Sequence, residues 1–332
     1  MGTLRWGILG TGWIAHAQAS DLLENGFTVS AVGSRTADAA QAFADEFGIR
    51  TAHASYEALV ADDEVDVVYV STPHPLHAPH ATLALVAGKH VLLEKPFALN
   101  AREARTVVDL ASSRGLVVLE AMWTRFLPHM VRIRELIAEG VIGDVRTLLA
   151  DHNQKLSTDP LSRILNPVLG GGALLDLGVY PVSFAHDLFG TPRSVLAEAA
   201  MTTTGVDRQT AILLGFDGGR QAVMHTALDT RGPNRAVILG TQGRIEIDPV
   251  WYTPTTFTVL DSAGAVIETF DATAKSKTIR GRGMHFQAAE LERLVAEGRT
   301  GGSIMAPEDT VLVMETLDEV RGQIGLEYPQ EH

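Results

Sequence analysis

Two short stretches of this sequence concentrate side chains that can hold or move a proton. The first is Glu94-Lys95-Pro96, directly after the apolar run 90–93. If that run is a strand of a parallel sheet, Lys95 stands at its carboxyl end, the edge at which open α/β sheets take up ligands. Pro96 fixes the exit of the chain and so restrains the lysine. A lysine at a strand end is also a common solvated charge, and spacing alone leaves both readings open. The second stretch is Gly170-Gly-Gly172-Ala-Leu-Leu-Asp176-Leu-Gly-Val-Tyr180-Pro181. A helix starting after the glycines sets Asp176 and Tyr180 four apart on one face. A carboxylate and a phenol stacked this way can hold a substrate hydroxyl together. The competing reading makes Tyr180 a core residue and Asp176 a cap.

A third stretch binds rather than reacts. The run 4–9 leads straight into Gly10-Thr-Gly12-Trp13-Ile14-Ala15, which fits the G-x-G-x-x-G/A turn of dinucleotide-binding proteins. Gly10 permits the tight turn, Gly12 lets the backbone approach a pyrophosphate, and Ala15 keeps the next helix close to the sheet. The peptide N–H groups at Trp13 and Ile14 open that helix, where the dipole favours an anion. An NAD site usually carries an acidic residue at the end of the second strand. Here the run 28–32 ends in Gly33-Ser34-Arg35-Thr36, and Asp38 already belongs to the following helix. Ser34 and Thr36 can donate hydrogen bonds and Arg35 can meet a 2′-phosphate or stack on adenine. NADP is therefore expected, with NAD the less favoured cofactor.

These residues need elements to hold them. Runs 4–9, 28–32, 65–70, 90–93 and 116–119 read as buried strands, alternating with helical patterns such as 37–47 and 76–87. Such alternation implies a doubly wound parallel sheet of the Rossmann kind. After residue 122 the pattern changes to a helix at 128–139, a strand at 145–150, an irregular stretch at 157–172, and successive strands from 194 to 270. Asp217-Gly218-Gly219 sits between 211–216 and 221–226 and reads as a hairpin turn. Helices at 286–297 and 308–324 close the chain. The expected architecture is α/β: a Rossmann dinucleotide-binding domain at 1–122, then an α+β domain at 123–332 with a large, mostly antiparallel sheet that binds substrate and mediates oligomerisation.

Composition narrows the chemistry. The chain of 332 residues carries 27 Lys+Arg against 40 Asp+Glu, a net charge of −13, and no cysteine. That sign opposes broad nucleic-acid or membrane-surface binding. Without cysteine there are no disulfides, thiol nucleophiles or cysteine-ligated zinc. No continuous run of about 18 apolar residues is present, and the N-terminus lacks signal-peptide character, so a cytoplasmic protein is expected. His74, His77 and His80 are spaced like metal ligands, but Pro75 and Pro79 interrupt them and no carboxylate accompanies them; no metal is expected. His152 and Asn153 are candidates for lining a substrate pocket, the alternative being polar residues at a sheet edge. Trp251 and Tyr252 suit a subunit contact or substrate stacking equally, and Met284-His285-Phe286 reads as core at a helix start.

In combination and order, Gly10-Thr-Gly12-Trp-Ile-Ala15, Thr72-Pro73 with His77, Glu94-Lys95-Pro96 and Gly171-Gly-Ala-Leu-Leu-Asp176-Leu-Gly-Val-Tyr180 resemble the Gfo/Idh/MocA family of NAD(P)-dependent oxidoreductases over essentially the whole chain. Many members carry Asp-x-x-x-His in the last motif; this sequence has Tyr180 at the histidine position. That version, with Glu120-Ala-Met-Trp123-Thr-Arg125-Phe126-Leu-Pro128, resembles the branch of dimeric dihydrodiol dehydrogenases, NADP-dependent xylose dehydrogenases and glucose–fructose oxidoreductases. The resemblance implies hydride transfer between nicotinamide and a hydroxyl carbon of a sugar, cyclic polyol or dihydrodiol. Tyr180 would be the acid/base, Lys95 its cationic assistant, and Asp176 an orienting or tuning group. Thr72, Pro73, His77, Glu94, Trp123 and Arg125 would join the cofactor site, and a homodimer or homotetramer would form through the C-terminal sheet. The alternatives are a reductase of keto-sugars or dicarbonyls using the same residues, and a non-catalytic NADP-binding regulator.

Overall fold

A computed structural model describes residues 4–157, 159–273 and 279–331. The chain forms two compact units. One comprises Met1–Trp123 with Arg280–Val311, the other Thr124–Ile279 with Leu312–His332.

The first unit alternates β1 (Arg5–Leu9), α1 (Trp13–Glu24), β2 (Thr28–Gly33), α2 (Ala37–Phe47), β3 (Thr51–His53), α3 (Tyr56–Val60), β4 (Val67–Val70), α4 (His77–Val86), β5 (His90–Glu94), α5 (Ala101–Ser113) and β6 (Val118–Ala121). The strands lie in the order β3-β2-β1-β4-β5-β6, all parallel. This is the doubly wound order expected from the apolar runs, with the topological switch between β1 and β4. Trp6, Ile8, Leu9 and all four residues of β4 are fully buried, as strands covered on both faces must be. The short, half-buried β3 has too little apolar character to stand out in the sequence.

The second unit begins with α6 (Pro128–Ala138) and β7 (Val145–Asn153), and continues through α7 (Val179–Phe189) into seven strands. These are β8 (Ser194–Met201), β9 (Asp207–Gly215), β10 (Gln221–Ala227), β11 (Ala236–Gly240), β12 (Gly243–Ile247), β13 (Thr256–Asp261) and β14 (Val266–Asp271). The eight-stranded sheet runs β14-β13-β12-β11-β7-β10-β9-β8, with only β7 and β10 parallel. The expected hairpin joins β9 to β10 through Asp217–Gly219. Leu148, Ala150 and His152 of β7 point to one face and are buried, while Leu149 points to the other and is exposed. The apolar stretch Pro167–Phe189 is long enough to cross a bilayer on composition alone, but 83% of its most apolar window is buried; it is the core element of this unit.

Helix α8 (His285–Ala296) groups with the first unit, and α9 (Pro307–Ile324) runs from one unit's residues into the other's. The buried Asp21 carboxylate in α1 accepts the N–H groups of Arg282 and Met284 at 2.7 Å each. Those bonds tie the approach to α8 to helix α1, and Met284 is core as expected.

Candidate active site

Every predicted cofactor residue of the first unit up to Lys95 falls at or just beyond the carboxyl edge of the parallel strands. Gly10 adopts φ +107°, which a side chain resists, and a Cβ there would crowd Ser71. Gly12 is the N-cap of α1, and nothing lies within 4 Å of where its Cβ would be. The first turn of α1 has no side-chain cap and no acidic residue. Its N–H donors, beginning at Trp13 and Ile14, thus fit a phosphate group. Trp13 is 70% exposed and carries the Arg282 guanidinium 5.1 Å from its ring centre.

At the end of β2, Ser34 is buried and lies 3.4 Å from the Thr11 hydroxyl. Arg35 is exposed, and Thr36 caps α2 by accepting the N–H of Ala39 at 3.3 Å. The Thr36 hydroxyl proton remains available to a ligand. With Asp38 exposed in the first turn of α2, the strand end presents a cation and two hydroxyls, a donor set that fits a 2′-phosphate.

The ends of β4 and β5 are laced together. Glu94 is buried; one oxygen accepts the Tyr69 hydroxyl at 2.5 Å and the other the N–H of Lys95 at 3.2 Å. Lys95 is half-buried and its bond to Pro96 is cis. His77 is buried, with Nδ1 2.7 Å from the Pro96 carbonyl and Nε2 2.7 Å from the Thr72 carbonyl. His77 sits between the two turns that carry Thr72-Pro73 and Lys95, and its neutral ring, with one N–H, donates to one of the two carbonyls. Burial, reinforced by the Lys95 charge, holds its pKa down at about 4 despite the two carbonyls. His80 bonds the Thr72 hydroxyl at 3.0 Å. Among the described residues no group of histidine and carboxylate side chains could hold a metal ion.

In the second unit the segment after Gly172 is not a uniform α-helix. Residues Leu174–Gly178 form a π-turn that passes into α7, a device found frequently at functional sites. Asp176 lies in the π-turn and Tyr180 in the first turn of α7, 9% and 8% exposed. Asp176 pairs with Arg163 at 3.0 Å. Around Tyr180 the rings of His152 and Tyr252 lie 4.9 and 5.5 Å away, and His152 stacks on Tyr252 at 3.6 Å. Gln154 donates to His152 Nε2 at 2.8 Å and reaches the Tyr252 hydroxyl at 3.5 Å. Burial and the neighbouring Tyr180 push Tyr252 up to about 12, so its hydroxyl keeps its proton. The cluster gathers two phenols, an imidazole and a carboxamide, which can bind hydroxyl groups and exchange a proton.

Asn153 is not part of this cluster. Successive strand residues point to opposite faces, so His152 and Gln154 face Tyr252 while Asp151 and Asn153 face away. The Asn153 side chain donates to Asp151 at 2.8 Å and meets His225 at 2.7 Å, and its backbone is held by Asn234. Of the two residues expected to line a pocket together, the structure groups His152 with Gln154 and turns Asn153 towards Asp151 and His225. Arg125 also has a structural setting: 3% exposed, it donates to the Ser183 hydroxyl and carbonyl at 2.9 and 2.7 Å and so anchors α7. Trp123 opens a short 3-10 turn and is 9% exposed. Gln154 was discernible from strand alternation, and Tyr252 is one of the two aromatic residues that the sequence offered for substrate stacking or a subunit contact. Arg163, in an irregular stretch whose residue 158 lies outside the described residues, has no local signal.

Residues 4–122 match the family described as "Oxidoreductase family, NAD-binding Rossmann fold", and residues 130–246 match the GFO/IDH/MocA C-terminal domain. The chain is 35% identical over 336 residues to trans-1,2-dihydrobenzene-1,2-diol dehydrogenase of Mus musculus, covering 99% of each. This chain belongs to the Gfo/Idh/MocA family. It is an oxidoreductase with an NAD(P)-binding Rossmann unit. It is also 33% identical over 368 residues to a D-xylose 1-dehydrogenase (NADP(+)) of Hypocrea jecorina, covering 99% of this chain and 94% of that one. Among solved structures, a 3-ketoreductase from Actinomadura kijaniata in complex with NADP and TDP-benzene superposes with a TM-score of 0.84 at 27% identity, covering 97% and 98% of the two chains. An aldose-aldose oxidoreductase from Caulobacter crescentus complexed with glycerol gives 0.84 at 26% identity, covering 96% and 97%.

Proposed function

We propose that this protein is an NADP-dependent dehydrogenase of a sugar, cyclic polyol or dihydrodiol, with Tyr180 as its acid/base. The observation that carries the reading is the setting of Tyr180: a nearly buried phenol among hydrogen-bonding rings, one turn beyond a carboxylate paired to arginine. When bound, the nicotinamide would accept or donate the hydride. The protein's part is position and field. The uncapped start of α1 holds the pyrophosphate, and Ser34, Arg35 and Thr36 hold the 2′-phosphate. A free phenol ionises near pH 10, too high for a base at neutral pH. The Lys95 ammonium is assigned to favour the phenolate and to polarise the reacting oxygen. Tyr180 then takes the hydroxyl proton in oxidation and returns it in reduction. Asp176, fixed by Arg163, orients the substrate. The similarity to a 3-ketoreductase supports the reductive direction on the same residues.

A second copy of the chain is the proposed partner of the open sheet face. Val237, Leu149, Val223, Leu213 and Leu196 form one in-register apolar row across five strands, and Leu149, Val223 and Leu196 are 41%, 46% and 62% exposed. A flat row of this kind suits an isologous contact.

The test is to mix the purified protein with NADP⁺ and D-xylose, trans-1,2-dihydrobenzene-1,2-diol and a panel of further sugars and diols, and to follow NADPH absorbance. Turnover with at least one of them is expected. A flat trace in both directions, with NADPH binding intact, would instead identify a non-catalytic NADP-binding regulator.

A further inference from the structure

The glycine-rich turn that leads into the Asp176–Tyr180 segment is built around a carboxylate that the reaction does not use. Asp207, the first residue of β9, is fully buried. Its Oδ2 accepts the N–H of Leu174, first residue of the π-turn, at 2.8 Å and the Thr210 hydroxyl at 2.7 Å. Its other oxygen occupies the space next to Gly172, where a Cβ would overlap it; Gly172 also has φ +121°. Burial holds this carboxyl up at about 6, against the pull of Thr210 and of the peptide N–H groups of Leu174 and Ala173. Beside it the buried Tyr328 hydroxyl donates to the Gly171 carbonyl at 2.7 Å. The turn is therefore gripped at the Gly171 carbonyl and the Leu174 N–H by two side chains from distant parts of the sequence.

A carboxylate at the start of a helix satisfies donors that have no partner in the helix and favours its positive end. Here it comes from another strand and meets a π-turn, whose register decides where Asp176 and Tyr180 stand. We propose that Asp207 is a positioning residue: its buried carboxylate, interlocked with Gly172, fixes the register of the π-turn and so the placement of Asp176 and Tyr180. This rests on the reading of Tyr180 as acid/base. It also accounts for Gly172, which loop flexibility alone would not require.

The test compares Asp207→Asn, Asp207→Ala, Gly172→Ala and the Gly172→Ala/Asp207→Ala double variant with wild type and Tyr180→Phe, using NADP⁺ with D-xylose or trans-1,2-dihydrobenzene-1,2-diol. In Asp207→Asn the amide oxygen can keep the bonds to Leu174 and Thr210 only with its NH₂ in the place of the oxygen next to Gly172, so the isosteric change removes the charge and alters the interlock while sparing those two bonds. Each single variant is expected to lower kcat by about 10- to 100-fold, as displacement by roughly 1 Å does. The alkaline limb of the kcat–pH profile should move, while KM changes less than about threefold and NADPH affinity less than about twofold. The double variant should lose no more than the worse single one, because each breaks the same interlock. Any folded Asp207 variant within about twofold of wild-type kcat would overturn the proposal. So would losses that multiply in the double variant, or an equal fall in NADPH affinity and kcat with an unchanged pH profile. If Asp207→Ala does not fold, the isosteric Asp207→Asn and Gly172→Ala decide by the same criteria. Full activity in Tyr180→Phe would strike the acid/base reading instead, independently of the Asp207 result.

Discussion

Acidification should unfold this protein well before its surface carboxylates are neutralised, through histidines buried in their neutral form. His77 in the first unit and His129 and His186 in the second have pKa values held down at about 4, about 4 and about 3, in each case chiefly by burial. A histidine depressed in the native state leaves its stabilisation intact above the unfolded value of 6.5, and loses it as pH falls towards the native value. Each contributes about 1.4 kcal/mol per pH unit across that window. Asp207 acts in the opposite sense: raised to about 6, it takes up a proton in the native state first and stabilises as pH falls through 6 towards 3.8. Between pH 6 and 4, three histidines against one aspartate leave two protons, or about 2.7 kcal/mol per pH unit for the whole chain. Divided by unit, His77 gives about 1.4 in the first, and His129 with His186 less Asp207 gives about 1.4 in the second. His80, His90 and His285 shift down too, against Asp21 shifting up, so the first unit should be the steeper of the two. Typical total stabilities are only about 5–15 kcal/mol. The assay is urea unfolding at pH 7.5, 6.5, 5.5 and 5.0 of protein carrying 5-fluorotryptophan, with the fluorine resonance of Trp6 reporting the first unit and that of Trp251 the second. His186→Gln should flatten the slope of the second unit towards zero. Urea midpoints that stay level or rise from pH 7 to 5 would refute the reasoning.

Three further outcomes follow. Arg35→Ala should weaken NADP⁺ binding about tenfold or more while leaving NAD⁺ binding within about twofold, measured by fluorescence titration, because only the 2′-phosphate loses a charged partner. Val223→Asp, in the middle of the apolar row, should shift the protein to a smaller species in sedimentation velocity without altering its circular dichroism; an unchanged mass would remove the second-copy reading. Arg163→Met should raise KM for the substrate several-fold and leave NADPH affinity unchanged, since it removes the cation that holds Asp176 at 3.0 Å; an unchanged KM would take Asp176 out of substrate orientation.

The doubly wound parallel sheet was readable, though not the short β3, because buried strands are continuous apolar runs, as in the Val-Val-Tyr-Val of β4. The dinucleotide turn was readable because its glycines answer backbone demands that few other contexts impose, as at Gly10 with φ +107°. Less legible were features set by distant contacts. Helical spacing sets Asp176 and Tyr180 four apart, but nothing in Leu174–Gly178 announces a π-turn, whose first N–H is bonded by Asp207 more than thirty residues later. Naming His152 and Asn153 together overlooked the two-residue period of the strand that carries both, which turns Asn153 towards Asp151 and His225 and brings Gln154 beside His152. Arg125 looked like a ligand residue from its neighbours in sequence, and its bonds to Ser183 show an anchor for α7.

The central claim is that the Tyr180 phenol moves the proton, and Tyr180→Phe tests it most directly. The substitution removes one oxygen from a ring held among His152 and Tyr252, so the fold and NADPH affinity should be preserved. Turnover with the best substrate of the panel should fall by about 10²–10⁴, the usual contribution of a positioned acid/base. A kcat that stays within about tenfold of wild type would contradict the account.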